Sequence, residues 1–307
     1  MRVSQVPSNL FGRISGPEHT LSDILLRKIR SQYESLFVET NARLRASDNP
    51  RSQTPATRAR RMLVDGYFEE RGALQNWGPE LADFARLVHD LHSAGISPVV
   101  SYYTDFPWFV FQSLGDIFSE ILGEEYQHLP DFWVWRIDPA RGQAGWKPHR
   151  DKGGSLGLFP DGRPKSLTCW IPVNDATPQN GCMYVVPKQH DKYYGVDGVD
   201  GLGISGLSSI RALPVESGDV LVWDQTVLHW GAQSSEFASH PRISMALEVQ
   251  SGKIPAFDEP LLNPRELPPE SLRLALIGKQ ILQYQHMYPL SDESRVFAKT
   301  LVEQYDG

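Results

Sequence analysis

Short apolar runs punctuated by Gly, Pro, Asn and Asp dominate the middle of this chain, while its two ends carry helical spacing. Phe132–Ile137 (FWVWRI), Ser166–Val173 (SLTCWIPV), Cys182–Val186 (CMYVV), Asp219–Trp223 (DVLVW) and Arg242–Gln250 (RISMALEVQ) are rich in aromatic and β-branched residues. Each is of strand length and bounded by turn residues, which predicts an antiparallel β sandwich or barrel. No helical period links them, so a parallel α/β sheet is not expected. On the N-terminal side Leu21, Ile24, Leu25, Ile29, Tyr33, Leu36 and Phe37 fall mainly on one helical face, predicting a helix to about Arg45. Residues 46–58 (ASDNPRSQTPATR) predict a loop, and helical spacing resumes over about 59–93 with a break near Asn76–Pro79. The stretch after Pro107 (WFVFQSLGDIFSEILG) predicts a buried helix ending at Gly123, and the chain after Pro269 predicts helix to about Gln304 with a break near Pro289. The expected architecture is a single domain, mainly β with flanking helices. Its parts are a helical N-terminal region over about 21–126, a jelly-roll or barrel core over about 130–252, and a helical C-terminal region over about 267–305.

Length and charge narrow the function classes. The chain has 307 residues, enough to bury a core without disulfides or structural metals. Its formal net charge of −7 argues against nucleic acid as a partner, because phosphate binding needs a basic surface. The two cysteines, Cys169 and Cys182, form no CxxC pair and are expected to be buried thiols. The N-terminal MRVSQVPSNLFGRISG lacks the apolar stretch of a signal peptide, and no segment reaches the ~18 apolar residues of a membrane span. A cytoplasmic protein acting on a small molecule, with no membrane partner, is the expectation.

Candidate chemistry centres on Pro148-His149-Arg150-Asp151. On a strand, positions i and i+2 face one side, so His149 and Asp151 can offer an imidazole and a carboxylate to one point. His229, in the stretch after DVLVW and two residues before Gly231, is the natural third ligand. Two histidines and a carboxylate on one face of an octahedron are the ligand set of oxygen-activating iron(II) enzymes. Three protein ligands leave three positions, two for a chelating 2-oxoacid and one for O₂. Arg242 opens the next strand and Ser244 shares its face. A permanently charged, forked guanidinium beside a hydroxyl suits the distal carboxylate of 2-oxoglutarate.

From Trp146 to Gln250 the chain resembles the phytanoyl-CoA dioxygenase family of Fe(II)/2-oxoglutarate-dependent oxygenases. The resemblance is carried by His149-Arg-Asp151, by the block LTCWIPVNDATPQNGCMYVVPKQH from Leu167 to His190, and by Glu216-Ser-Gly-Asp219, His229-Trp-Gly231 and Pro241-Arg242. It implies a double-stranded β-helix, metal ligation by His149, Asp151 and His229, a carboxylate anchor at Arg242, and Trp170 near the co-substrate. It also implies hydroxylation of a small organic molecule coupled to decarboxylation of 2-oxoglutarate to succinate and CO₂. Gly231 departs from members that carry a hydroxyl residue there, a role that Ser244 could take. Two other readings remain at this stage: a cupin-like dioxygenase or hydrolase on the same barrel, and a non-catalytic binding protein that keeps the fold.

Other histidines read as structural. His190 caps a turn, and His89 and His92 lie on the surface of a helix. Trp135, Arg136, Trp146 and Lys147 could line a substrate pocket, but core packing or a solvated loop accounts for them equally well. Gly201-Leu-Gly-Ile-Ser-Gly206 matches a dinucleotide-binding pattern but lacks the strand and helix that such a loop needs. His149-Arg-Asp151 also spells the kinase catalytic-loop triplet, but no Asp-Phe-Gly follows it.

Overall fold

The computed structural model describes residues 21–37, 52–140, 142–198, 206–288 and 290–303. Its helices are α1 (Leu21–Gln32), α2 (Pro55–Val64), α3 (Gly78–Ser93), α4 (Phe106–Ser113), α5 (Gly115–Leu122), α6 (Glu270–Gln283) and α7 (Asp292–Glu303). Its strands are β1 (Tyr67–Glu70), β2 (Gln127–Ile137), β3 (Ser166–Pro172), β4 (Met183–Val186), β5 (Arg211–Leu213), β6 (Val220–Asp224), β7 (Leu228–Gly231) and β8 (Arg242–Gln250).

The strands form a five-stranded sheet, order β1-β6-β3-β8-β2, and a three-stranded sheet, order β5-β4-β7. Every pairing is antiparallel. An isolated bridge from His149 to His229 adds the segment after β2 to the free edge of the smaller sheet. Following the chain, β2 lies in the large sheet, the His149 segment in the small one, β3 in the large, β4 and β5 in the small, β6 in the large, β7 in the small and β8 in the large. This alternation winds the two sheets into a double-stranded β-helix, the expected fold.

Period-two alternation explains why the core strands read as unbroken apolar runs. Leu167, Cys169, Ile171, Val220, Val222, Ile243, Met245 and Leu247 pack in one cluster with side chains of α3, α4 and α6. Trp170, Leu221, Trp223 and Ala246 point the other way, into a second cluster with Met183, Val185 and Leu213 of the small sheet. Both faces of the large sheet are therefore covered, by helices outside and by the opposing sheet inside. Cys169 and Cys182 are both buried, one in each cluster.

Local structure departs from the expectation at several places. The loop expected over 46–58 gives way to helix at Pro55, where Thr54 caps the helix by accepting from the Thr57 N–H at 3.2 Å. A proline at the first helical position loses nothing, since its missing N–H would be unpaired there. The helical reading of 59–93 hides β1, which pairs with β6 as an outer strand of the large sheet, beyond the expected 130–252 core. Tyr67 and Phe68 alternate between the two clusters, but four residues are too few to show a period. The single helix expected after Pro107 is two, broken at Leu114, and the short β5 and β7 were not foreseen. The His149–Asp151 stretch is a bridge followed by a bend and not a regular strand. The helix expected to run to about Arg45 ends at Gln32 and gives way to a 3-10 turn at Glu34–Leu36; the residues from 38 to 51, the break at Pro289 and the loop 201–205 lie outside the described residues.

Candidate metal centre

Two reciprocal backbone hydrogen bonds bring the histidines together. His149 N donates to His229 O and His229 N to His149 O, each at 3.0 Å. The residues thus face each other across an antiparallel bridge, with ring centroids 4.4 Å apart. Asp151 Oδ1 lies 3.3 Å from His149 Nε2 and 3.5 Å from His229 Nε2. One ligand atom from each of the three residues lies within 4.8 Å of the others, the one such group found among the described residues.

The surroundings fix which atoms face the centre. His149 Nδ1 lies 2.6 Å from Lys147 O, and His229 Nδ1 lies 3.0 Å from Val227 O. A carbonyl only accepts, so each Nδ1 carries the proton and each Nε2 presents its lone pair inward. Asp151 Oδ2 accepts from Thr168 Oγ1 at 2.7 Å and Trp223 Nε1 at 3.2 Å, leaving Oδ1 to face the imidazoles. Thr168 in turn accepts from Gln225 Nε2 at 3.1 Å. His149 Nε2 is buried without a hydrogen-bond partner, an orphan that a metal ion would satisfy.

Electrostatics favours the binding-competent protonation states. Burial pushes His229 down to about 4, so its imidazole is neutral at neutral pH. Burial acts against ionisation of Asp151, but His229 and His149 outweigh it and hold the carboxyl well below the usual range. His149 is also opposed by burial, yet its contacts with Asp151 leave it raised. An ionised carboxylate beside a neutral imidazole is what a divalent ion requires, and the residual proton on His149 is the one it would displace.

Arg150, between two of these residues, points away from them. Its NH1 pairs with Asp191 Oδ2 at 2.6 Å and donates to Thr226 O at 2.8 Å, tying the His149 segment to the turn before His229. Both side chains are almost fully buried. Removing one partner of a buried ion pair strands the other, at a cost of roughly 3–5 kcal/mol. Arg150→Met is therefore expected to lower the melting temperature markedly and to weaken metal binding. Wild-type values for both, by calorimetry and metal titration, would show that the clamp carries neither.

The triad opens into a cavity between the sheets, walled by residues of both. Arg242 lines one end, together with Trp170, Met183, Gly145 and Gly231. Arg242 is 1% exposed, and its Nε and NH2 have no hydrogen-bond partner. Its remaining contacts are Met183 Sδ at 3.7 Å and the Trp170 ring, with centroid 5.6 Å away. Burial pulls this group down to about 10, still charged at neutral pH. A buried cation without a counter-ion is costly, and the cavity is where an anion can reach it. Gly231 is explained by crowding: a Cβ there would stand 3.1 Å from Gly145 Cα and 3.3 Å from Arg242 NH2. Ser244 is buried on the same strand, its Oγ unpartnered, but it does not line the cavity.

The cavity also collects residues that the sequence reading passed over or left undecided. Trp135 and Trp146 line it, whereas Arg136 pairs with Asp138 and Lys147 is exposed. Asp131, Trp133, Glu248 and Tyr284 join the wall. Glu248 was visible as the sole charge inside the apolar strand after Arg242, and Asp131 and Trp133 alternate with Trp135 along β2. Tyr284, at the end of α6, carried no signal. His190, His89 and His92 stand apart from the site.

Comparisons with known proteins agree with this construction. The apo form of the non-haem monooxygenase ThoJ superposes with a TM-score of 0.54 at 14% identity, covering 80% of this chain and 98% of that one. Apo EctD from S. alaskensis gives 0.51 at 18% identity, covering 72% and 91%. SnoK, an α-ketoglutarate-dependent carbocyclase of nogalamycin biosynthesis, gives 0.50 at 16% identity, covering 69% and 99%. At these identities the likeness is one of fold. No curated protein matches significantly in sequence. The sequence model described as phytanoyl-CoA dioxygenase (PhyH) matches residues 84–239, a span that runs from α3 through the whole triad and covers just over half of the chain. The chain therefore belongs to the phytanoyl-CoA dioxygenase family.

Proposed function

We propose that this protein is an Fe(II)- and 2-oxoglutarate-dependent dioxygenase that hydroxylates a small organic molecule. The carrying observation is the unpaired, buried Arg242 guanidinium in the same cavity as the His149–Asp151–His229 group. Metal ligands alone suit many reactions on this barrel, including those of a cupin-like dioxygenase or hydrolase. A counter-ion-free arginine beside them suits one that brings its own carboxylate. Iron(II) with 2-oxoglutarate and O₂ supplies the oxidising power, with succinate and CO₂ as co-products.

The chain's own residues bind, orient and shield. His149, Asp151 and His229 would hold the metal, and the Thr168 and Trp223 bonds to Oδ2 keep Asp151 turned toward it. Arg242 would anchor the far carboxylate of 2-oxoglutarate, with Trp170 against the guanidinium face. Trp133, Trp135 and Trp146 exclude water and present an apolar wall on which a C–H bond can be positioned. Hydroxylation is favoured because all three protein ligands, the Asp151 carboxylate included, are in place.

The test is a titration of 2-oxoglutarate into the anaerobic Fe(II) protein. A visible charge-transfer band and a stoichiometric binding isotherm are expected. Iron binding without any response to 2-oxoglutarate would favour another metalloenzyme on the barrel.

A further inference from the structure

The aromatic wall of the cavity carries polar edges that nothing in the protein uses. The indole Nε1 atoms of Trp135 and Trp146 are buried and have no hydrogen-bond partner. An indole N–H donates and cannot accept, so each needs an oxygen or nitrogen with a free lone pair. A buried donor left unpaired is costly, and a native protein that keeps two of them side by side calls for an explanation. The two rings meet edge-on with centroids 5.3 Å apart, and both line the cavity.

The carboxylates of the cavity wall are engaged elsewhere. Asp151 Oδ2 accepts from Thr168 and Trp223. Asp131 accepts from Tyr284 OH at 2.8 Å and from Gln283 Nε2 at 3.1 Å. Glu248 is paired with Lys152, whose Nζ lies 3.5 Å away. No acceptor among the described residues is therefore left for the two indoles.

One protein oxygen approaches the donors without satisfying them. Tyr288, in the turn after α6, stacks on Trp133 at a centroid distance of 5.3 Å. Burial raises its hydroxyl pKa, and the N–H groups of Trp146, Trp133 and Trp135 draw it back down. The indole edges thus converge on the place where an oxygen stands, but Trp135 and Trp146 make no hydrogen bond to it.

The pair sits on the side of the cavity where a substrate has to lie. Trp146 packs edge-on against the ring of His149 at 5.6 Å and against Tyr284 at 4.8 Å. Arg242 is covered by other groups, Trp170 and Met183. Resting on the oxygenase reading above, we infer that Trp135 and Trp146 are substrate-recognition residues whose indole N–H groups together bind one carbonyl or carboxylate oxygen of the substrate. Such an oxygen has two lone pairs, one for each donor. The substrate is then an apolar skeleton bearing that oxygen, with its C–H bonds laid against the Trp133 and Tyr284 rings. An analogue without the oxygen is rejected, because it leaves both donors buried and unpaired.

The test uses the full chain with isotope-labelled indole nitrogens, loaded with Zn(II) and 2-oxoglutarate, so that no turnover occurs and the spectra stay sharp. The probes are cyclopentanone, cyclopentanecarboxylate and methylenecyclopentane, which share a ring and differ in the oxygen. The Trp135 and Trp146 N–H resonances are identified by their loss in Trp135→Phe and Trp146→Phe. Should either variant fail to fold, contacts between each N–H and the His149 and Tyr284 rings identify them in the unaltered protein. Both resonances are expected to move downfield with cyclopentanone or cyclopentanecarboxylate and to stay in place with methylenecyclopentane. Whichever oxygen probe moves them says whether the group is neutral or charged, and it is expected to bind roughly tenfold tighter than methylenecyclopentane. If neither oxygen probe moves the pair, or if methylenecyclopentane moves it equally, the inference is overturned. Zn(II) and 2-oxoglutarate binding are measured first on the same protein. If they fail, the oxygenase reading falls; if 2-oxoglutarate alone moves both resonances, the donors serve the co-substrate and the substrate inference falls by itself.

Discussion

His229→Ala is expected to abolish turnover and to lower metal affinity far more than loss of an outer partner does. His229 supplies one of three inward-facing ligand atoms, and its ring is buried against Trp223 at a centroid distance of 4.6 Å. With that ring gone, water would have to fill a coordination position inside an apolar enclosure. His149→Ala is expected to behave alike, since its Nε2 is the orphaned atom of the group. Thr168→Val provides the scale. It removes the hydrogen bond to Asp151 Oδ2, together with the one Thr168 accepts from Gln225, and leaves Trp223 on the same oxygen; changes of that kind cost roughly 10–100-fold in metal affinity or activity. Metal titration followed by 2-oxoglutarate consumption would rank the three variants. Normal turnover in either histidine variant would end the ligand assignment, and equal losses in all three would show that geometry counts for no more than orientation.

Arg242→Ala is expected to raise the apparent 2-oxoglutarate requirement steeply while leaving metal affinity near wild type. Losing one partner of a buried, hydrogen-bonded charge pair costs about 2–5 kcal/mol, or roughly 30-fold to several-thousand-fold in affinity. The same residue predicts the opposite sign for the ligand-free protein. Without an anion, Arg242 is a buried charge with two unpartnered nitrogens, and its removal relieves that penalty. Arg242→Met, which keeps much of the side-chain volume, is the better variant for this comparison. It is expected to melt no lower than wild type when ligand-free, and to lose the stabilisation that 2-oxoglutarate confers on wild type. A destabilised ligand-free Arg242→Met would mean that Arg242 supports the barrel and is not waiting for an anion.

These expectations come from different levels of the molecule. The chain alone determined four of the five strands of the large sheet, β2, β3, β6 and β8, because residues buried on both faces read as near-continuous apolar runs. SLTCWIP and VLVWD are legible for that reason, and so are the flanking helices, whose buried stripes recur over several turns. It also brought His149, Asp151, His229 and Arg242 forward, because a histidine–carboxylate pair and a charged residue opening an apolar strand are local patterns. What the chain did not disclose depends on partners far away in sequence. β1, β5 and β7 are three or four residues long and exist by pairing, so no periodicity announces them. The reciprocal hydrogen bonds of His149 and His229 were settled by the winding of the two sheets, and the Arg150–Asp191 clamp by a turn beyond β4. The isolation of Arg242 in the cavity was settled by register. Glu248 falls beside Thr168 at one end of β8 while Arg242 remains alone at the other, and Tyr284 arrives from a helix outside the barrel. A side chain's chemistry is written at its own position, but its counter-charge is a long-range contact, and folding alone decides which groups are left without one.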